Sequence, residues 1–150
     1  MLEACSTVII TKPSSVLLML RDRKPGISDP GRWGLIGGQR KKGERLKSTA
    51  VREIKEETGL IVDERNIKPF AMIQTREKKW NVFVTYGNWS AKDLIRGEGQ
   101  QIRFVPLQRA FRLRLGDKQR YVLSVLREYL DHHKLSQLFD RSLRIPNKEA

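Results

Sequence analysis

Apolar and polar positions change period several times along the chain, and each change marks an expected element. The first run, STVIITKPSSVLLML, is β-branched and aliphatic on both sides of Lys12-Pro13-Ser14-Ser15. It predicts strands over residues 7–11 and 16–20 joined by a turn. The next stretch, RDRKPGISDPGRWG, holds Pro25, Gly26, Pro30, Gly31 and Gly34. It predicts a long loop, and such loops inside compact domains are more often functional than idle. A short strand over 33–36 then runs into Gly37-Gly38. From 46 to 58 the period lengthens: Leu46, Ala50 and Ile54 recur at i, i+4 and i+8 with Val51 beside them, the apolar stripe of a helix. Gly59-Leu60 reads as a left-handed C-cap with its hydrophobic contact. Strands are predicted over 67–76, 81–89 and 101–105, the last stopped by Pro106. A second helix over 117–133 places Tyr121, Val122, Val125, Leu126, Tyr129 and Leu130 on one face. Residues 135–150 read as a loosely docked tail.

No repeat, low-complexity linker or shift in composition divides the 150 residues, so a single domain is expected. Hydrophobic residues make up 39% and charged ones 31%, a globular rather than a disordered balance. The opening MLEACSTVII has no basic n-region of a signal peptide, and no apolar run approaches the ~18 residues of a membrane span. The single Cys5 cannot form an internal disulfide. It reads as a buried hydrophobe rather than a nucleophile. A cytoplasmic setting without a membrane partner is therefore expected. Charge changes the picture more. Basic residues outnumber acidic ones by 30 to 17, a net +13, which favours anionic partners such as nucleotides, nucleic acid or anionic lipid without choosing among them.

Against that surplus, Glu53, Glu56 and Glu57 gather within two turns of the first helix, shortly after Arg40-Lys41-Lys42. Like charges at neighbouring helical positions repel. At about 100° per residue, Glu57 lies one turn beyond Glu53 and Glu56 sits beside both, away from the Leu46–Ala50–Ile54 stripe. Considered alone, the three fit a solvated acidic face. They also fit a cation site, because crowded carboxylates raise one another's proton affinity unless positive charge sits among them. A hard divalent ion held by such oxygens can clamp a diphosphate and activate water for in-line attack.

The residues around the cluster carry a resemblance that bears on the choice. Gly38, five residues, Glu44, seven residues, Arg52-Glu53-Ile54, one residue, Glu56-Glu57, one residue and Gly59-Leu60 match G-x5-E-x7-R-E-U-x-E-E-x-G-U, with U apolar. The chain thus resembles the Nudix hydrolases, a family typified by the MutT 8-oxo-dGTP diphosphatase. The resemblance implies an α/β fold, an α/β/α sandwich with a mixed β-sheet. Carried over, Glu53, Glu56 and Glu57 would bind one or more Mg²⁺ or Mn²⁺ ions, with the Gly37 carbonyl as a further ligand. Arg52 would orient a glutamate of the cluster, and Glu44 would assist. The later EGQQIRFVPL resembles the family's acidic loop and following strand, with Glu98 as a further metal-binding or base carboxylate. Glu53 and Glu98 compete for the role of general base. The implied reaction cleaves the diphosphate linkage of a nucleoside diphosphate derivative. A nucleoside triphosphate, oxidised ones included, giving monophosphate and pyrophosphate is the leading class. Hydrolysis at RNA 5′-ends is an alternative. A non-catalytic nucleotide- or RNA-binding module is another, against which the intact glutamate set argues. Residues 114–119, just before the final helix, are where the resemblance would put contacts to the base.

Departures from the pattern also carry information. Ile36 replaces a common proline, a tolerable change. Arg45-Leu46 replace the usual Ser/Thr-Pro, so the N-cap is missing, and Ser48 or Thr49 is expected to cap a shorter helix. Arg40 and Lys41, with Lys42, stand in a loop that is often apolar or acidic, and are expected to draw polyphosphate inward. Arg21 and Arg23 leave the second strand as candidates for substrate phosphates. Trp33 is a candidate for stacking on a base, although packing under the long loop is the simpler reading. His132 and His133 are adjacent and do not share a helix face. The stretch from Arg103 to Arg120 reads as a solvated basic surface, since only Phe104 and Phe111 interleave its cations.

Overall fold

Strand β1 (Leu2–Thr11) is buried over its last eight residues, and the other elements are arranged on it. A computed structural model of the chain describes residues 1–27, 29–95, 99, 101–139 and 148–149. β2 (Ser15–Leu20) returns antiparallel to β1, and β3 (Trp33–Gly34) pairs with the end of β2. β4 (Ile36–Gln39) pairs antiparallel with the first half of β1, from Ala4↔Gln39 to Thr7↔Ile36. Helix α1 (Leu46–Thr58) follows, then β5 (Lys68–Gln74) and β6 (Lys78–Gly87). β7 (Gln101–Pro106) lies antiparallel along β2, leading into the short α2 (Leu107–Ala110) and the long α3 (Asp117–His132). β8 (Lys148–Glu149) runs parallel to β5. The order is β3-β2-β1-β6-β5-β8, with β4 added on β1 and β7 on β2. Because β1 and β6 are parallel and most other pairs antiparallel, the sheet is mixed.

Side-chain alternation along the strands divides the core in two. Ala4, Val8 and Ile10 of β1 face the layer of α3, where they join Val122, Leu123 and Leu126. Cys5 and Ile9 face the other way, toward Ala50 and Ile54 of α1. Ile54 and Leu123 have no exposed surface, and each such side chain contributes about 1.5–3 kcal/mol by leaving water. Helices on both faces of a mixed sheet make the expected α/β/α sandwich.

Several boundaries move, for tertiary reasons. β1 starts at Leu2 rather than at 7, because β6 supplies a parallel partner from Leu2↔Lys78 to Thr11↔Gly87. The same pairing draws Lys78 and Lys79, which read as a turn, into β6. The turn sits one step earlier, where the Thr75 N–H donates to the Lys78 carbonyl at 2.8 Å. The 33–36 strand is split at Leu35, since its two halves pair with different strands. On α3 the buried stripe is Gln119, Val122, Leu123 and Leu126, the i, i+3, i+4, i+7 set. Tyr121, Val125, Tyr129 and Leu130 are only partly buried at its flank. Within the expected tail, a 3-10 turn over Leu135–Phe139 buries Leu138, and β8 joins the sheet. Among the described residues no helix is long and apolar enough to cross a membrane.

Candidate active site

α1 occupies the residues its periodicity predicts, and its two ends fix the acidic cluster. Gly59 closes it at φ 78°, its N–H donating to the Lys55 carbonyl at 2.9 Å. The start differs from expectation. Arg45 is the N-cap and offers no side-chain acceptor, so neither Ser48 nor Thr49 caps a shortened helix. The Thr49 hydroxyl instead donates to Glu44 Oε1 at 2.7 Å. Glu44 thereby leans over the first turn, where a carboxylate suits the exposed N–H groups.

Arg52 is the hub. Its Nε and Nη2 donate to the two oxygens of Glu44 at 2.8 and 3.0 Å, a bidentate pair of the stronger kind. Nη1 donates to Glu53 Oε1 at 2.7 Å and to Glu56 Oε2 at 3.2 Å, and Nη2 also reaches the Gln39 carbonyl at 3.1 Å. Arg52 therefore ties α1 to the end of β4. The guanidinium, with help from Thr49 and the Lys41 N–H, holds the Glu44 carboxyl down at about 2 against the opposing effect of burial. Reciprocally, Glu44 and then Glu53 raise the proton affinity of Arg52. A protein cation thus already sits among three of the carboxylates.

Glu53, Glu56 and Glu57 line one cavity of about 630 Å³ with Gly37, Gly38, Arg21 and Lys24. Glu57 is buried and Glu56 exposed. The glycines serve different needs. A Cβ on Gly37 would meet the Cys5 carbonyl oxygen at 2.1 Å and Ser6 Cα at 2.6 Å, both backbone atoms of β1. One on Gly38 would meet Glu53 Oε1 at 2.4 Å, so bare backbone there leaves room for the carboxylate. Among the described residues, no three His, Cys, Asp or Glu side chains are gathered tightly enough to cage an ion by themselves.

A second cavity of about 440 Å³ shares Arg21, Gly37 and Gly38 with the first. Its far wall is Asp117, Lys118 and Gln119 at the start of α3, within the segment expected to meet a base. Lys78, Trp80 and Ser6 also line it without a local signal having marked them, and Asp29 joins from the long loop. Lys78, Trp80 and Ser6 meet because β6 pairs in parallel with β1 across more than seventy residues of sequence. Trp80 Nε1 donates to Ser6 Oγ at 2.8 Å. Burial pushes the Lys78 amine down, and the charges of Lys118 and Arg21 add to the effect.

The remaining candidates lie elsewhere. Trp33 is 9% exposed, packed in the core, with the Arg103 guanidinium 5.3 Å from its ring centre. It lines neither cavity. The Arg23 side chain lies against Gly31 of its own loop, outside both cavities. Arg40 donates to the Glu44 carbonyl and lies 3.6 Å from Glu3, and Lys41 contributes its N–H to Glu44. Burial drives the Cys5 thiol up to about 12, which suits a core residue. Glu98 lies outside the described residues.

The NUDIX domain family model matches residues 1–126. Over 56 residues the chain is 41% identical to the oxidized purine nucleoside triphosphate hydrolase of Mus musculus, a stretch covering 37% of this chain and 34% of that protein. The chain thus spans about a third of the curated relative it matches. Among solved structures, a NUDIX hydrolase from Nitrosomonas europaea has a TM-score of 0.78 at 18% identity, covering 99% of this chain and 78% of that one. The NUDIX domain of Shewanella oneidensis NrtR, complexed with ADP ribose, has a TM-score of 0.71 at 20% identity over 86% and 88%. A MutT protein from Methanosarcina mazei has 0.64 at 23% identity over 88% and 96%. At these identities the structures show the same fold.

Proposed function

This chain belongs to the Nudix family, and from that premise we propose that it hydrolyses the diphosphate linkage of a nucleoside diphosphate derivative. The substrate class is a nucleoside triphosphate, oxidised ones included, with monophosphate and pyrophosphate as products. The observation that carries the reading is the common wall. Arg21, Gly37 and Gly38 line both the glutamate cavity and the cavity at the start of α3. A polyphosphate lying against the glutamates would leave its nucleoside facing the second cavity.

Mg²⁺ or Mn²⁺ fits the donors, which are all oxygens: Glu53, Glu56, Glu57 and the Gly37 carbonyl. Their loose grouping suits an ion that takes one or two carboxylates and completes its shell with water and substrate phosphate. Such an ion, when bound, supplies charge to the phosphate oxygens and activates water. The chain's own part is positional. Arg52 holds Glu53 through one oxygen at 2.7 Å, which orients that carboxylate to accept a proton from attacking water. Gly38 gives it the space. Arg21 and Lys24 bring positive charge to the same cavity.

The test is a hydrolysis panel with Mg²⁺ containing ordinary and oxidised (d)NTPs, nucleotide sugars, dinucleoside polyphosphates and 5′-triphosphorylated RNA. Turnover of triphosphates is expected. Glu57→Gln should lower kcat/KM by on the order of 10²-fold, since it removes one of the three glutamate charges and a carboxylate oxygen at a ligand position. Equal rates would take Glu57 out of the mechanism. Binding without turnover of anything would replace the enzyme by a nucleotide-binding module. Turnover of RNA alone would promote a 5′-end pyrophosphohydrolase, a second reading that the positive surface favours.

A further inference from the structure

Between Gln101 and Arg127 the chain carries six arginines and one lysine against a single aspartate, close to half of its net +13. All six arginines are exposed, and none is in an ion pair among the described residues. We propose that this face, formed by β7, the α2–α3 connection and α3, binds the phosphate backbone of single-stranded nucleic acid.

Arg103, Arg120 and Arg127 are placed on one layer by their contacts. Val105, Phe111 and Leu113 pack into the same core as α3, so Arg103, two residues before Val105, lies on that face of β7. Near the cavities, Arg103 covers the Trp33 ring, and the Trp33 N–H donates to the Arg114 carbonyl at 2.8 Å. Farther out, Arg127 lies 4.0 Å over the Phe111 ring, and Arg120 donates to the Phe111 and Leu113 carbonyls at 3.4 and 3.3 Å. Lys118, which lines the smaller cavity, closes the gap between that cavity and the face. The sequence separates these cations from most aromatic rings, but the fold sets guanidiniums over Trp33 and Phe111. Arginines held in this way lose less freedom when they pair with phosphates.

The choice of nucleic acid over another polyanion rests on the diphosphate reading above. A strand on this face would run toward a cavity already suited to a polyphosphate end. A lipid surface fits less well, because among the described residues the exposed large hydrophobic ones are Met1, Leu2, Ile61 and Ile95, and none belongs to this face.

The probe is a fluorescent oligouridylate with a 5′-hydroxyl, titrated in EDTA at several salt concentrations. No hydrolysis is involved, so failure of the catalytic reading and failure of this one are separable. R109Q/R112Q/R127Q should weaken binding and reduce the slope of log K against log salt by about 2, at roughly 0.7 per lost contact on a single strand. Its melting temperature and nucleotide turnover should match wild type. R109K/R112K/R127K should keep the slope. An unchanged slope in the glutamine variant, or equal loss in the lysine variant, overturns the proposal. So does equally tight binding to one-to-one phosphatidylcholine–phosphatidylserine vesicles, or no binding by wild type at low salt.

Discussion

At Arg52 one guanidinium serves Glu44, Glu53 and Glu56 together, and removing any partner redistributes the rest. Glu44 is the member with the largest stake. Its carboxyl is held near 2, below an ordinary 4.5. A lowered folded-state value means the contribution is complete above about 4.5 and is lost as pH falls toward 2, because the unfolded chain binds the proton first. In metal-free buffer the melting temperature of wild type should therefore drop across that window. Glu44→Gln should start about 2 kcal/mol less stable at neutral pH, from loss of charged hydrogen bonds, and show a shallower acid decline. An identical decline in both would assign the titration to other carboxyls. The glycine pair offers a sharper contrast. Gly37→Ala drives a methyl into β1 backbone and should compromise folding. Gly38→Ala meets first the far end of the Glu53 side chain, so it should fold with a stability within about 1 kcal/mol of wild type yet lose most activity. Intact activity in Gly38→Ala would mean that Glu53 need not occupy that position.

Elements defined by local chemistry were legible in the sequence, and those defined by a distant partner were not. α1 appears with its predicted bounds because its apolar stripe and its glycine stop are both local. The three glutamates share a cavity because helical spacing alone puts them together. By contrast, the first residues of β1 and β6 look polar or turn-like and become strand only through each other. The smaller cavity inherits that blindness, since Lys78 and Trp80 reach Ser6 by long-range pairing. α2 is too short for a periodic signal. The C-cap can be tested directly. At φ 78° an L side chain costs about 1–2 kcal/mol, and a Cβ on Gly59 would also approach Ile95 Cβ at 3.0 Å. Gly59→Ala should lower unfolding stability in urea by about 1–2 kcal/mol, with the m-value unchanged. A neutral result would show that the cap is not under this constraint.

On the scale of the whole molecule, a net +13 surrounds a cavity built on carboxylates, and the two must be reconciled for an anionic substrate to enter. Arg40, Lys41 and Lys42 were the expected source of attraction. Arg40 is engaged by Glu3 and the Glu44 carbonyl, which leaves the exposed Lys41 and Lys42 as that loop's long-range charge. Fields from exposed groups fade beyond about 10 Å at 0.1 M salt, so their effect belongs to encounter rather than to chemistry. Lys41→Ser/Lys42→Ser should therefore lower kcat/KM for a nucleoside triphosphate at low salt by about 10-fold or less, with kcat preserved. The variant and wild type should converge as ionic strength rises. Lys24→Ser, inside the cavity wall, should show a deficit that persists in high salt, because a phosphate contact at short range is screened far less. Parallel salt curves for wild type and the double variant would shift the attraction from this loop to the molecule's distributed charge, of which the β7–α3 face holds the largest local share.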